Sequence, residues 1–356
     1  MGVIMKKRFL DIIILFLAVI WVCILISEPE VCKNGTAEGI LLCGKVIIPS
    51  LFPFTMCVIF IINSGVLNSL ELIFPRLVSR KKLRFDIFFI ILLSFIGGYP
   101  IGAKLLNNTV TENRLTKVEA SNMLNHSVNA GPAFVISAVG SGILNSKKIG
   151  IILLCSHIFS GIMLILFASK SNTHTKAILS YKHQSINLAD NFVKSVAEAS
   201  NTVLNICSFT ILFSAINEYI NFFAENIKPV KIIGLILEIT NAVTLTNNIY
   251  LISFLLGFGG ISVWCQVLSV GSNLEIHPFK FILFRILHGV LSICFTAVLL
   301  RLFPVNISVF STTDKLSFSY FYSSGAVGIS LLTMAIVFII SLSTKKYAGK
   351  IIEDMI

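Results

Sequence analysis

The chain has 356 residues, of which 55% are hydrophobic and 13% charged, and its mean hydropathy is +0.89. A soluble domain carries about 25% charged residues, so this chain lacks the charge to coat a water-facing surface and lipid must be the solvent for much of it. That excludes a cytosolic enzyme, a secreted disulfide scaffold and a disordered tail. The net charge of +11 sits in short clusters beside apolar runs: Lys6-Lys7-Arg8, Arg80-Lys81-Lys82 with Arg84, and Lys345-Lys346 with Lys350. This is the positive-inside bias of a membrane protein, and no nucleic-acid partner is expected because no basic face is interleaved with aromatics. Seven of the eight cysteines lie inside apolar runs and none forms CxxC, so they read as small packing residues rather than disulfides or metal ligands.

Taken in chain order, Phe9 to Ile26 follows the first basic cluster with no small-residue cleavage site after it. It reads as an uncleaved span with a cytoplasmic N-terminus, and the acidic stretch Glu28 to Glu38 as an external loop. Residues 1–38 form this anchor and loop; a first half spans 39–170. It opens with an apolar run, Gly39 to Val66, expected to break near Pro49 and Pro53. The Gly39–Lys45 stretch fits GxxxxGK, but Val46 stands where a phosphate loop needs Ser or Thr, so nucleotide binding is not expected. Asp86 to Ala103 is apolar but contains Gly97-Gly98-Tyr99-Pro100-Ile101-Gly102, which should interrupt a helix. A second break is expected at Asn129-Ala130-Gly131-Pro132, between a polar helix (Leu115 to Val128) and an apolar one (Phe134 to Leu144). Ile149 to Ala168 is a clean span of about 20 residues.

Residues 171–190 form a polar linker with His174 and His183. The second half, 191–303, carries Thr202 to Phe223, Ile232 to Val243, Tyr250 to Leu268 interrupted by Gly257, Gly259 and Gly260, and Phe279 to Leu302. Residues 304–356 hold a last span, Gly325 to Leu342, and a cytoplasmic tail. The halves carry a weak repeat. Val139-Gly140-Ser141 aligns with Val270-Gly271-Ser272, His157 with His288, Ile151 with Ile282 and Ile162 with Ile293, all without gaps. The fold class expected is therefore an all-α polytopic membrane protein of about eight spans, including broken or re-entrant hairpins, in two related halves. Paired broken segments are the sequence pointer to a secondary transporter, because freed backbone groups and half-helix N-termini bind solutes at mid-membrane. Close glycine packing is the plain alternative.

The candidate substrate-binding residues are Gly98, Pro100, Gly102, Lys104, Asn125, Asn129, Gly131, Glu238, Thr240 and Asn241. Lys104 follows the first break and could bind a carboxylate or snorkel to the interface. Asn122, Asn125 and His126 share a helical face, and Asn125 and Asn129 are spaced one turn apart; they could read polar ligand atoms or serve as caps. Glu238 could carry a coupling proton or sodium ion, or pair with Arg285. His157 and His288 could relay protons or simply pack. No catalytic constellation, metal-ligand set or cofactor motif is present, and an enzyme is the least supported class.

Together, Pro49-Ser50-Leu51-Phe52-Pro53-Phe54, Gly97 to Leu105, Asn129 to Phe134 with Val139-Gly140-Ser141, Ser156-His157 and Leu237 to Asn241 resemble the YlbJ-type sporulation integral membrane proteins (stage V sporulation protein V). The resemblance covers roughly residues 40–300. It implies a nucleoside-transporter-like gate domain, and movement of dipicolinate, a planar pyridine dianion, from mother cell toward forespore across the outer forespore membrane. Lys104 and half-helix N-termini would then face its carboxylates, and Asn125 or Asn129 its ring side. The expected partners are this small organic anion and the lipid bilayer, with a homo-oligomer left open. An ion-coupled nucleoside transporter and a non-transporting scaffold of the spore envelope are the alternatives.

Overall fold

The computed structural model describes residues 2–64, 85–113, 115–168, 187–224, 228–246 and 248–305. The Arg80–Arg84 cluster, most of the polar linker with its histidines, the last expected span and the lysine-rich tail lie outside the described residues. Every regular element among the described residues is helical. The chain is an all-α polytopic membrane protein. Among the described residues, five helical runs are long and apolar enough to cross a bilayer: Pro29–Asn63, Lys147–Phe167, Leu188–Phe223, Ile249–Val270 and Pro278–Leu302.

The helices are α1 (Gly2–Ser27), α2 (Pro29–Leu42), α3 (Ile48–Asn63), α4 (Phe85–Gly97), α5 (Tyr99–Thr111), α6 (Lys117–Ser127) and α7 (Lys147–Ala168) in the first half. The second half holds α8 (Leu188–Phe223), α9 (Lys228–Leu237), α10 (Ile239–Leu245), α11 (Ile249–Phe258), α12 (Gly260–Val270) and α13 (Pro278–Leu302). Among the described residues, two π-wound segments interrupt the first half, Cys43–Ile47 and Ala133–Ile143.

Three expectations are corrected. The stretch read as an external loop, Glu28 to Glu38, is mostly helix, because Pro29 opens α2 at its first turn, where a missing N–H costs nothing. The prolines expected to break the next run do not. The π segment Cys43–Ile47 leads into α3 just before Pro49, which sits in the first turn of α3, Pro53 lies inside α3, and Ser50 Oγ donates to the Val46 carbonyl at 2.6 Å. The wider turn and the hydroxyl absorb what proline disrupts. Conversely, the run Ile232 to Val243 is not continuous: it breaks at Glu238, which is extended between α9 and α10.

Long helices frame the broken ones. Segment α2–α3 packs antiparallel along α8, where Gly35 and Gly39 bring the backbones together. A Cβ at either would come within 2.7 to 2.8 Å of α8 atoms, Ala215 Cα and Ile211 Cα among them. Small residues one turn apart are how membrane helices approach without a hydrophobic drive. Here the Gly39–Lys45 stretch serves packing, on a helix rather than a phosphate loop. On the other side α7 packs against α13. The repeat extends to the element boundaries: α7 begins at Lys147 and α13 at Pro278, the same separation of 131 that relates His157 to His288.

Candidate solute-binding site

A spanning segment that stops being helical must satisfy its freed backbone groups inside the protein. Four breaks do so, and they lie near one another. At the first, Gly98 has φ +89°, a conformation glycine adopts without the Cβ clash that other residues meet. It stands against Gly131 of the next break, where a Cβ would meet the Gly98 nitrogen at 3.0 Å. At the second break, residues 128–131, α6 ends with unpaired carbonyls. The fully buried Arg285 of α13 reaches across, donating to Asn125 O at 2.6 Å and to Val128 O. The Ala130 N–H donates to His157 Nε2 at 2.9 Å, which leaves the ring proton on Nδ1. His288 in turn donates from Nε2 to the His157 carbonyl at 3.0 Å, and the two rings stack 4.3 Å apart.

At the third break Glu238 is the cap of α10. Its carboxylate accepts from the Asn241 N–H at 2.7 Å, and Asn241 Nδ2 donates to Ser214 Oγ of α8 at 2.8 Å. Among the described residues no ion pair joins Glu238 to Arg285. At the fourth break Gly259 and Gly260 both have positive φ, and Gly260 lies against Ile236 O and Ile239 N of the third. The closing carbonyls of α11 are taken by side chains: Tyr99 Oη donates to Leu256 O at 2.8 Å, and Trp264 Nε1 to Phe258 O at 3.0 Å.

Three of these breaks border a small, mostly apolar cavity, and the fourth packs against the third. The first half contributes Gly98, Tyr99, Pro100, Gly131 and Phe134; the second contributes Glu238, Thr240, Gln266 and, from α8, Thr210. The N-terminal ends of α5 and of the π helix Ala133–Ile143 border it, and such ends carry partial positive charge and free N–H groups. Glu238 is the one charged residue in its lining, and the lining contains no basic residue.

The structure thus brings together five of the residues singled out from sequence: Gly98, Pro100, Gly131, Glu238 and Thr240. The others fall outside the lining. Gly102 is packing: a Cβ there would fall inside the contact shell of the Ser127 carbonyl. Asn125 and Asn129 are buried in the scaffold, with Asn129 Nδ2 donating to Ser94 Oγ at 2.9 Å. Asn241 is engaged with Glu238 and Ser214, as above. Lys104 is tied to Glu198 of α8 at 3.1 Å. Thr210, Gln266 and Tyr99 were not singled out; Gln266, a lone amide in an apolar run, carried a readable signal.

A comparison with curated proteins finds one likeness over most of the chain. It is 23% identical over 323 residues to the sporulation integral membrane protein YlbJ of Bacillus subtilis (strain 168), covering 77% of this chain and 79% of that protein. The chain is thus similar to a sporulation integral membrane protein over most of both lengths. The resemblance drawn from the glycine–proline motifs is supported by this match. No family model and no solved structure matches the chain.

Proposed function

We propose that the chain is a sporulation transporter of the YlbJ type that carries a small organic anion, dipicolinate, from the mother cell toward the forespore. The observation that carries this reading is that three helix breaks border one cavity holding a buried carboxylate, with the fourth break packed against the third. A transporter needs such a place, because exposed backbone at membrane depth is tolerated where it lines a cavity. The free N–H groups that open α5 and the π helix receive carboxylate oxygens there. Glu238 binds the coupling cation, which offsets its own charge beside an anionic solute. Thr210, Thr240 and Gln266 supply neutral hydrogen bonds for orientation.

The same lining favours one other reading, an ion-coupled nucleoside transporter. Two threonine hydroxyls, an amide and one carboxylate with no basic side chain suit a neutral, hydroxyl-rich solute. One experiment separates the two. Purified protein in liposomes is assayed for uptake of labelled dipicolinate, with uridine as competitor, for wild type and Glu238→Gln. Saturable dipicolinate uptake, unaffected by millimolar uridine and reduced at least tenfold by Glu238→Gln, supports the anion reading. Uridine uptake without dipicolinate uptake replaces it with the nucleoside reading. Uptake of neither removes transport.

A further inference from the structure

Beyond the cavity, a separate polar cluster joins three helices. Lys104 of α5 contacts Glu198 of α8 at 3.1 Å and donates to Thr202 Oγ1 at 3.5 Å. Asn63, the last residue of α3, donates to Glu198 at 3.5 Å, and Lys194 lies 4.0 Å from the same carboxylate. The charges are two lysines against one glutamate, so the cluster is net positive. Lys104 and Glu198 side chains are 24% and 29% exposed, where Lys194 is 65% exposed. The pair is thus neither a core contact nor a loose surface bridge.

Its position relative to the cavity is set by helix geometry. Lys104 lies one turn, about 6 Å, beyond Pro100 on the same face of α5. On α8, Glu198, Thr202, Ile206 and Thr210 follow at four-residue steps; Ile206 and Thr210 line the cavity and Thr202 bonds Lys104. Burial falls along that strip from Thr210 at 1% exposure to the partly exposed Glu198. The strip therefore runs from the cavity outward, and the Lys104–Glu198 pair stands at its outer part, one partner from each half. The end of α3 beside it leads on to the Arg80–Arg84 cluster, which the positive-inside rule places in the cytoplasm.

We propose that Lys104 and Glu198 form a charge gate on the cytoplasmic entry to the cavity, opened when an entering carboxylate takes the place of Glu198 on Lys104. The carboxylate part rests on the transport reading above; the gate itself does not. The exchange trades one charge-assisted hydrogen bond for another, and Lys194 and Asn63 hold the displaced Glu198. This gives Lys104 a place in solute selection although it lies outside the cavity. A neutral solute cannot make the exchange.

The test uses the full chain in inside-out membrane vesicles, with Thr210→Cys labelled by a small anionic methanethiosulfonate. The same chain without that substitution gives the background of the eight native cysteines. Lys104→Ala and Glu198→Ala are each expected to speed labelling at least threefold, and the exchanged pair Lys104→Glu with Glu198→Lys to return it toward the starting rate. Uptake is measured in parallel: Glu198→Gln is expected to lower the half-saturating dipicolinate concentration at least threefold. Equal labelling rates in all chains overturn the gate, even if dipicolinate is transported. Faster labelling that the exchanged pair does not reverse also overturns it, since a misfolded chain would behave so. Faster, reversible labelling with no dipicolinate uptake retains the gate and overturns the carboxylate part.

Discussion

The break after α6 and the break after α11 occupy equivalent places in the two halves, yet they are closed by different chemistry. The carbonyls that end α6 are held by Arg285, a guanidinium from the second half. Those that end α11 are held by the Tyr99 hydroxyl, from the first half, and by the Trp264 indole. Each half therefore supplies a donor to the other's broken helix. Each break thus takes part of its capping from the other half. The difference also sorts the work at the cavity. The first half contributes Gly98, Pro100, Gly131, Phe134 and Tyr99, whose hydroxyl is taken by Leu256 O. The second contributes Glu238, Thr240 and Gln266. Most of the polar side chains that line the cavity therefore come from the second half.

Breaking the charged cap should cost most. Arg285→Met keeps volume but orphans the Asn125 and Val128 carbonyls, each about 1–3 kcal/mol when buried unsatisfied. Removing a desolvated charge offsets part of that. The expected net loss is about 2–4 kcal/mol, read as a lowered thermal denaturation midpoint in detergent. Arg285→Lys should recover part of it, since an ammonium can reach one carbonyl but has no fork to span both. Full stability in Arg285→Met would show that water or another donor caps α6, and would end the argument for capping between the halves.

His157→Ala comes next. It leaves the buried Ala130 N–H without its acceptor and removes the ring stacked on His288. A loss of about 1–3 kcal/mol is expected, below that of Arg285→Met. His157→Gln, whose amide oxygen can accept the same bond, should recover most of it. Recovery also separates a structural bond from proton relay, because glutamine does not titrate. If dipicolinate uptake collapses in a stable His157→Gln chain, the histidine pair belongs to the transport mechanism as well as to the fold.

Glycine and proline positions were legible in the sequence because their effect is local. The breaks at Gly98 and at Asn129–Pro132 follow from φ freedom and missing N–H groups, and both appear. The break at Glu238 was not legible as a break. No glycine or proline marks it; a carboxylate folds back onto the Asn241 N–H, and glutamate is not among the usual N-caps. Pro49 and Pro53 misled in the other direction, since a π segment and Ser50 repaired the helix around them. Lys104 and Glu238 look alike in sequence, each an ionisable group in an apolar run. What separates them is tertiary: Glu238 reaches the cavity, while Lys104 meets Glu198, 94 residues away. That partner lies in the polar start of α8, beside the linker, where no local pattern announces an ion pair.

The smallest expected effect is at the neutral cap. Tyr99→Phe keeps the ring in the cavity wall and removes only the hydroxyl that donates to Leu256 O. One neutral hydrogen bond is worth about 0.5–1.5 kcal/mol net, and Trp264 still holds the neighbouring Phe258 carbonyl, so a small loss in thermal stability is expected. The informative measurement is the cycle with Arg285→Met. The two caps sit on different broken helices and share no hydrogen bond, so if each half folds against an already formed partner their losses should add within about 0.5 kcal/mol. If the caps form together, the double variant should lose less than the sum, because the first substitution has already released the other half. Sub-additivity would make the cross-capping one cooperative joint; additivity would reduce it to two independent repairs of broken helices.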